Sequence, residues 1–538
     1  MVVISKSDVN VVKSTLNSIL FSTFFFIHNK ASQMQHSLAI FTGGSAFNPT
    51  AFALRQIGHH RVDYIIPTTD DGGSSAEILR YFGGPAIGDL RSRLLRLASE
   101  STSEARAIKY LLQHRLPGND NAISRNEWCN ILDGSHSRWT ATISDEFKCT
   151  VLRFLHYFEQ QVQDKHRQSS FLGSFDYRNG SIGNFFFTGA RLFFGSLNAA
   201  IFWWSRVAGI PEGSRVIPAA TRHSDHTLRS SINSLTIGAV VQNNDQTYDI
   251  VGQSAISHPS LIGNIVTNTS NAVSSNSSSS STTSTTTTTI STNSKTNSIP
   301  TNAQGTKKLR IDTTSSTSSN TSTSPNTSNH NNCTSPRIMK SIKNSSGLIP
   351  FDAKNGKIID LYHVARPINQ RVVSPPGNPK AISALTVADV IVFGIGSLFT
   401  SILAGIIPKG NGRAVLENET ALKILIVNSK QDRETFGLSV MDYIQIISNA
   451  CMKDGAGEGM EKTWQISDCI NTIVVLEKSE IEIDMEWLKK ENINVITING
   501  SSSSDELVSV GSAPKYDPSI LARCLLDTQA NWSLNNNK

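Results

Sequence analysis

Residues 65–75 read IIPTTDDGGSS: an apolar run ends in two carboxylates, two glycines and two serines, and a helical pattern follows. A short apolar run closed by glycines is a strand signal, and the periodicity after it is helical. The same grammar occurs just upstream in LAIFTGGSAFNPTAFAL (38–54). Two strand–glycine–helix junctions in succession predict the phosphate-handling edge of a nucleotide-binding α/β domain, because each turn presents free backbone N–H groups and a positive helix end to one sheet edge.

Working outward, a strand is predicted at Ser37–Phe41, then a turn at Gly43 and Gly44. Asn48-Pro49 is read as an N-cap and first helical residue, with the helix running to about Ile57. A second strand is predicted over Val62–Thr69, after which Ser74, with Glu77 three residues on, has the spacing of a capping box. A third turn, at Gly88-Asp89, opens an amphipathic helix. Residues 100–175 read as helical and irregular, and GSIGNFFFTGARLFF (180–194) enters a helix expected to continue through Ile201–Val207. Residues 232–252 read as an antiparallel pair turning at Asn243-Asn244-Asp245.

Farther on, the alternation resumes with ADVIVFGIGSLFTSILAG (388–405), strands at 421–429, 472–477 and 493–498, and a closing helix at 517–526. The expected fold is therefore α/β, a Rossmann-like doubly wound and mostly parallel sheet with a helical region and an insert. The organisation read from the chain is a tail at 1–36, a first part of the domain at 37–265, an insert at 266–346 and a second part at 347–538. Residues 274–289 are sixteen consecutive Ser, Thr or Asn. With almost no apolar surface to offset the entropy of ordering, the insert is expected to be disordered. Roughly 420 residues remain, enough for one large α/β domain.

A net charge of +6 with only 17% charged residues and no long basic run leaves nucleic acid without a footprint. Six scattered cysteines show no CxxC, and neither cysteines nor histidines fall at metal-ligand spacing, which fits a reducing, cytoplasmic setting. The apolar run NSILFSTFFFI (17–27) is short for a membrane span, so no stable membrane insertion is expected; a targeting segment is the alternative. No GxSxG occurs, so covalent catalysis is not expected.

Seven blocks in order carry a resemblance: FTGGSAFNPTAFAL (41–54), TTDDGGSSAEI (68–78), GPAIGDLRSRLLRLA (84–98), SIGNFFFTGA (181–190), ADVIVFGIGSLFTSIL (388–403), KILIVNSKQDRETFGLSVMDYI (423–444) and YDPSILARCLL (516–526). They are similar to the CofD-like family, which holds the 2-phospho-L-lactate transferases and the YvcK-type gluconeogenesis factors, and they look closer to the YvcK-type branch. In transferase members the resemblance implies a phospholactyl group passed from a guanosine diphosphate conjugate to a deazaflavin alcohol with magnesium. In YvcK-type members it implies a bound UDP-sugar without established turnover. Phe399 stands where that branch usually shows Tyr, and Gln445 where it often shows Arg.

On these grounds Thr42, Gly43, Gly44, Asn48, Gly183, Asn184, Gly394, Gly396, Ser397 and Phe399 are expected to hold a nucleotide or its phosphates. Adjacent carboxylates beside a phosphate repel unless a cation, a hydroxyl donor or water relieves them, and the resemblance implies that Asp70 and Asp71 hold magnesium or position an acceptor. Asp89 is expected to orient the acceptor, a role the transferase branch implies, and the three aspartates form the catalytic set. Arg91 and Arg93 are candidate phosphate partners. The expected activity is magnesium-dependent transfer of a phospho-acyl group from a nucleoside-diphosphate-linked small molecule. The alternative is a non-catalytic UDP-sugar-binding regulator of carbon metabolism, and a homodimer is the candidate assembly.

Overall fold

A computed structural model describes residues 36–58, 60–169, 172–221, 234–243, 246–257, 264–267, 357–366, 372–456, 462–500 and 515–536. The tail at 1–35 and nearly all of the 266–346 insert lie outside these residues.

Seven strands form one parallel sheet: β1 (Ser37–Phe41), β2 (Arg61–Ile66), β3 (Ser214–Pro218), β9 (Val390–Phe393), β10 (Leu422–Ile426), β11 (Thr472–Leu476) and β12 (Asn494–Ile498). Their spatial order is β12-β11-β10-β9-β1-β2-β3. The chain thus runs outward from β1 to β3, returns to the centre at β9 and runs outward the other way. That reversal beside β1 is the topological switch point of the Rossmann-like order, where the loops diverge and leave a crevice at the carboxyl ends. Register puts Phe41 opposite both Ile65 and Phe393, so those ends are level.

The central strands are apolar on both sides, as parallel strands covered on two faces must be. Leu38, Ile40, Val62, Tyr64, Val390 and Val392 face one core, while Ala39, Phe41, Ile65, Ile391 and Phe393 face the other. The first core is closed by α1 (Asn48–Ile57), α2 (Gly73–Phe82), α3 (Gly88–Leu97) and a helical layer: α4 (Ser103–Leu112), α5 (Asn121–Leu132), α6 (Asp145–Gln168), α7 (Ile182–Phe194) and α8 (Leu197–Val207). A second sheet, ordered β6-β5-β4-β7-β8, contributes to the other core. It comprises β4 (Ser234–Asn243), β5 (Gln246–Val251), β6 (Asn264–Thr267), β7 (Lys357–Arg366) and β8 (Val372–Val373). The expected antiparallel pair is its β4–β5 hairpin. A short α9 (Gln253–Ser257) follows β5. That core also takes α10 (Pro379–Thr386), α11 (Asn411–Glu417) and α12 (Val440–Gly455); α13 (Met485–Lys490) and α14 (Pro518–Asn536) complete the chain.

Three local expectations are corrected. The N-cap position of α1 is Phe47 with no side-chain cap bond, because Asn48 turns back to donate to the Gly44 carbonyl (2.7 Å) and to Ser92 Oγ (3.0 Å). No capping box forms at Ser74, since α2 begins at Gly73, Ser74 accepts from Asn184 and Glu77 pairs with Arg80. The helix entered at 181 does not continue to 207. Gly195 takes a left-handed φ of 64°, Ser196 caps a new helix, and α7 and α8 meet at 118°. Among the described residues no single helix is long and apolar enough to cross a membrane.

Candidate functional site

The loops leaving β1, β9 and β10 surround a cleft of about 410 Å³ at the switch point, with α3 and α9 closing its sides. From β1 come Gly43, Gly44, Ser45 and Ala46, directly before α1. Glycine is required here by close approach. A Cβ at Gly43 would lie 2.5 Å from Ser401 Oγ, and one at Gly44 would lie 2.3 Å from Asp89 Oδ1 and 2.6 Å from Asp89 Cα. From β9 come Gly396 and Ser397, with Gly394 at φ 109° and Gly396 at φ 154°, conformations that favour glycine. They enter a π-helical turn (Leu398–Leu403) in which Ile402 N–H donates to Ser397 O. Such turns are found frequently at functional sites.

Arg93 holds the first loop from beneath. Fully buried, its guanidinium donates to Thr42 Oγ1 (3.3 Å), Gly43 O (3.1 Å) and Phe47 O (3.3 Å) and lies over the Tyr64 ring. Burial lowers its pKa to about 10. Arg93 is thus fully buried against the loop, with both terminal nitrogens and the Thr42 hydroxyl engaged there and only its Nε left without a partner. Arg91 donates to Asn184 Oδ1 (3.0 Å) and lies near Asp70 and Asp89.

The adjacent aspartates point apart. Asp71 turns away, where Thr236 Oγ1 of β4 (2.9 Å) and the Ser254 amide of α9 (2.8 Å) donate to it. Asp70 accepts from the Gly72 amide (3.0 Å) and Ser75 Oγ (2.9 Å) and lies against Gly88, where a Cβ would be 2.5 Å from its Oδ2. The charge of Asp70 also reaches Asp89, while Asp71, though turned to Thr236, still acts on Asp70. Asp89 does not cap its own helix, whose N-cap is Ile87; it accepts from the Gly44 amide and lines the cleft. Burial, and then the charge of Asp70, push its pKa up to about 7 against the pull of Arg93 and Arg91. Asp70 is also raised, by burial first.

Gly183 and Asn184 lie away from the cleft lining. Asn184 is buried, joins Ser74 to Arg91, and so positions the arginine beside the carboxylate pair. Phe399 is buried in the second core, and it is its amide, not its ring, that serves the site. That amide (3.1 Å) donates to Glu434, as do the Thr400 amide (3.2 Å), Thr400 Oγ1 (2.6 Å) and Ser257 Oγ (2.7 Å). Glu434 is 5% exposed, and burial raises its pKa, with Asp432 adding to the effect. One carboxylate thus clasps α9, the π-helical turn and the loop after β10. The helix start that glycines 394–396 introduce already carries this internal anion.

Sequence reasoning singled out none of Glu434, Asp432, Arg433, Gln253, Ser257 or Ser401. The available signal was the charged triplet Asp432-Arg433-Glu434 just past a strand in a parallel sheet. Among described lining residues Asp89, Asp432 and Glu434 are acidic and Arg433 is basic, so the walls carry an excess of carboxylates while the loop before α1 offers amides. The histidines read as unclustered are also corrected: His114 and His136 meet at Glu127, outside the cleft.

A Rossmann-ordered sheet with a glycine-lined, carboxylate-bearing cleft at its switch point defines a Rossmann-like α/β protein with a candidate ligand site where that fold class places one. More particularly, the description "2-phospho-L-lactate transferase CofD" matches residues 38–510, and the chain belongs to that family. A Saccharomyces cerevisiae protein, YNL011C, is 32% identical over 494 residues, covering 88% of this chain and 97% of that one. The gluconeogenesis factor of Halalkalibacterium halodurans is 31% identical over 134 residues, 24% of this chain and 41% of its own. A putative gluconeogenesis factor of Thermotoga maritima is 34% identical over 156 residues, covering 29% and 42%. A crystal structure of a Bacillus halodurans protein aligns over 91% of this chain and 99% of its own, with a TM-score of 0.49 and 17% identity.

Proposed function

We propose that this chain is a divalent-cation-dependent transferase that moves a phospho-acyl group, of the 2-phospho-L-lactate kind, from a nucleoside-diphosphate donor to a hydroxyl acceptor. The observation that carries the reading is Asp89, backed by Asp70, bonded to the amide of the same Gly43–Ala46 loop that opens α1. An anion seat and the carboxylate of Asp89 share one cleft wall, with the charge of Asp70 acting on Asp89. The family of the chain supports the same chemistry.

The residues fit magnesium: Asp70 and Asp89 supply hard oxygen donors close together, and neither carboxylate is committed to an arginine hydrogen bond. When bound, the ion would neutralise diphosphate and carboxylate charge together. The chain's own residues do the rest. Amides of Gly43, Ser45 and Ala46 at the α1 N-terminus hold phosphoryl oxygens and meet the charge that develops on them. Asp89, with its pKa near 7, takes the acceptor hydroxyl proton. The hydroxyl oxygen bonds to the transferred phosphorus, the bridging P–O bond breaks, and the nucleoside monophosphate leaves with the electron pair. The charge of Arg91 favours the ionised form of both aspartates.

The test is a ligand screen read by melting temperature, using GDP, UDP, UDP-sugars and related conjugates with and without magnesium, followed by Asp89→Asn. A ligand at 100 times its Kd stabilises by about 2.7 kcal/mol. A magnesium-dependent response, with turnover lost and nucleotide affinity largely kept in Asp89→Asn, supports the transferase. The gluconeogenesis-factor names of the bacterial relatives favour a second reading, a non-catalytic UDP-sugar-binding regulator of carbon metabolism. A metal-indifferent UDP-sugar response without turnover selects it, and silence from every nucleotide overturns both.

A further inference from the structure

We propose that His114, Glu127 and His136 form a transition-metal site, suited to zinc, in the helical layer and separate from the cleft. The ligand atoms of the three residues all lie within 4.8 Å of one another. His114 Nε2 is 2.5 Å, and His136 Nε2 3.4 Å, from the same oxygen, Glu127 Oε1. The two rings are 5.3 Å apart and tilted by 37°. Two imidazoles and a carboxylate are a donor set for zinc and its first-row neighbours, whereas magnesium and calcium take oxygen cages. Around an ion with bonds of about 2.0–2.1 Å, tetrahedral ligand atoms stand roughly 3.4 Å apart. The His136–Glu127 spacing already has that value, and the His114–Glu127 contact opens to it.

The backbone presets the donors. His114 follows α4, with its N–H on Leu111 O (3.0 Å) and its carbonyl receiving the Ile182 amide (3.1 Å). Glu127 is on α5, and His136 lies in the turn beyond it, tied by its N–H to Asn130 O (3.0 Å) and by its carbonyl to the Trp139 amide (2.9 Å). Side-chain exposures of 14%, 23% and 14% leave the group reachable from solvent, with room for water as a fourth ligand. One contact is surrendered on binding. His136 Nδ1 accepts from the Arg138 amide (3.1 Å), so ligation through Nε2 moves the ring proton to Nδ1 and turns that surface amide to water. The ion would staple the end of α4 to α5 and the turn after it.

The experiment uses the full chain, stripped with a chelator and titrated with cobalt(II) and then zinc(II). Cobalt should give the visible absorption of a tetrahedral nitrogen–oxygen site at one equivalent, and zinc should displace it while excess magnesium does not. His114→Ala and His136→Ala should each weaken zinc binding by at least about 100-fold, more than the 10- to 100-fold effect typical of outer-shell changes. Cys129→Ser, on the exposed face of α5, and Asp89→Asn should leave it unchanged. Zinc-induced thermal stabilisation, present in the parent chain and absent from both histidine variants, is the second readout, and a metal-free melt checks that each variant folds. Zinc affinity that survives the double histidine variant overturns the site, as does affinity lost in Asp89→Asn or Cys129→Ser, or a chain that takes up no cobalt. Only zinc affinity lost in Asp89→Asn would implicate the nucleotide cleft; every other result leaves the transferase reading untouched, so the two proposals fail distinguishably.

Discussion

Gly44→Ala tests the geometry on which the site depends. An alanine Cβ at this position lands 2.6 Å from Asp89 Cα, where ordinary contact begins at 3.4 Å, so the loop and α3 must part by about 0.8 Å. The obstacle is helix backbone, which cannot rotate away. Gly43→Ala meets mainly Ser401 Oγ at 2.5 Å, a hydroxyl that can change rotamer, with Ser401 Cβ at 3.1 Å. Overpacking costs about 1–3 kcal/mol. Gly44→Ala should therefore lie at the upper end, about 3 kcal/mol, and Gly43→Ala at about 1 kcal/mol. Three kcal/mol changes the folding equilibrium about 150-fold at 1.4 kcal/mol per decade. Urea denaturation of the parent and both variants measures this, and Gly43→Ala combined with Ser401→Gly should recover most of the smaller loss. Equal urea midpoints for Gly44→Ala and the parent would refute the close packing of this loop on α3.

Because Asp89 has a folded pKa of about 7 against an ordinary carboxyl value of 3.8, the folded state binds the extra proton between those values, and stability falls as pH rises through that window. Magnesium, which needs the ionised carboxylate, should bind more tightly as pH rises through 7; calorimetry from pH 5.5 to 8.5 reads this, and Asp89→Asn should flatten it. Arg93→Lys keeps the charge but loses the fork that spans Thr42, Gly43 and Phe47, and should cost about 3 kcal/mol by urea midpoint. An unchanged midpoint would return Arg93 to the list of ligand partners. Glu434→Ala leaves two amides and two hydroxyls without their acceptor and should cost about 2–3 kcal/mol, with Glu434→Gln recovering part of it. Variants that melt alike would argue against the clasp.

How much was legible follows from the range of the forces involved. Strands 37–41, 390–393 and 422–426 could be read because a parallel strand covered on both faces must be a continuous apolar run. The glycine turns at 43–44 and 394–396 could be read because close approach or a positive φ excludes a Cβ, a constraint that leaves its mark on residue type. Order along the chain then indicated the doubly wound sheet and the edge at which a ligand would bind. Partner choice was beyond reach. Asp70 and Asp71 are neighbours in sequence, yet tertiary packing turns Asp71 to Thr236 and sets Asp89 within reach of the charge of Asp70. Arg93 reads as a candidate phosphate partner on the polar side of an amphipathic helix, and packing makes it the fully buried support of the first loop. Glu434 and the His114–Glu127–His136 group join residues dozens to well over a hundred positions apart or carried on separate turns. Backbone periodicity and steric exclusion are local and are written in the sequence. Burial, carboxylate pairing and shared hydrogen-bond acceptors depend on distances that exist only once the sheets and helices have packed.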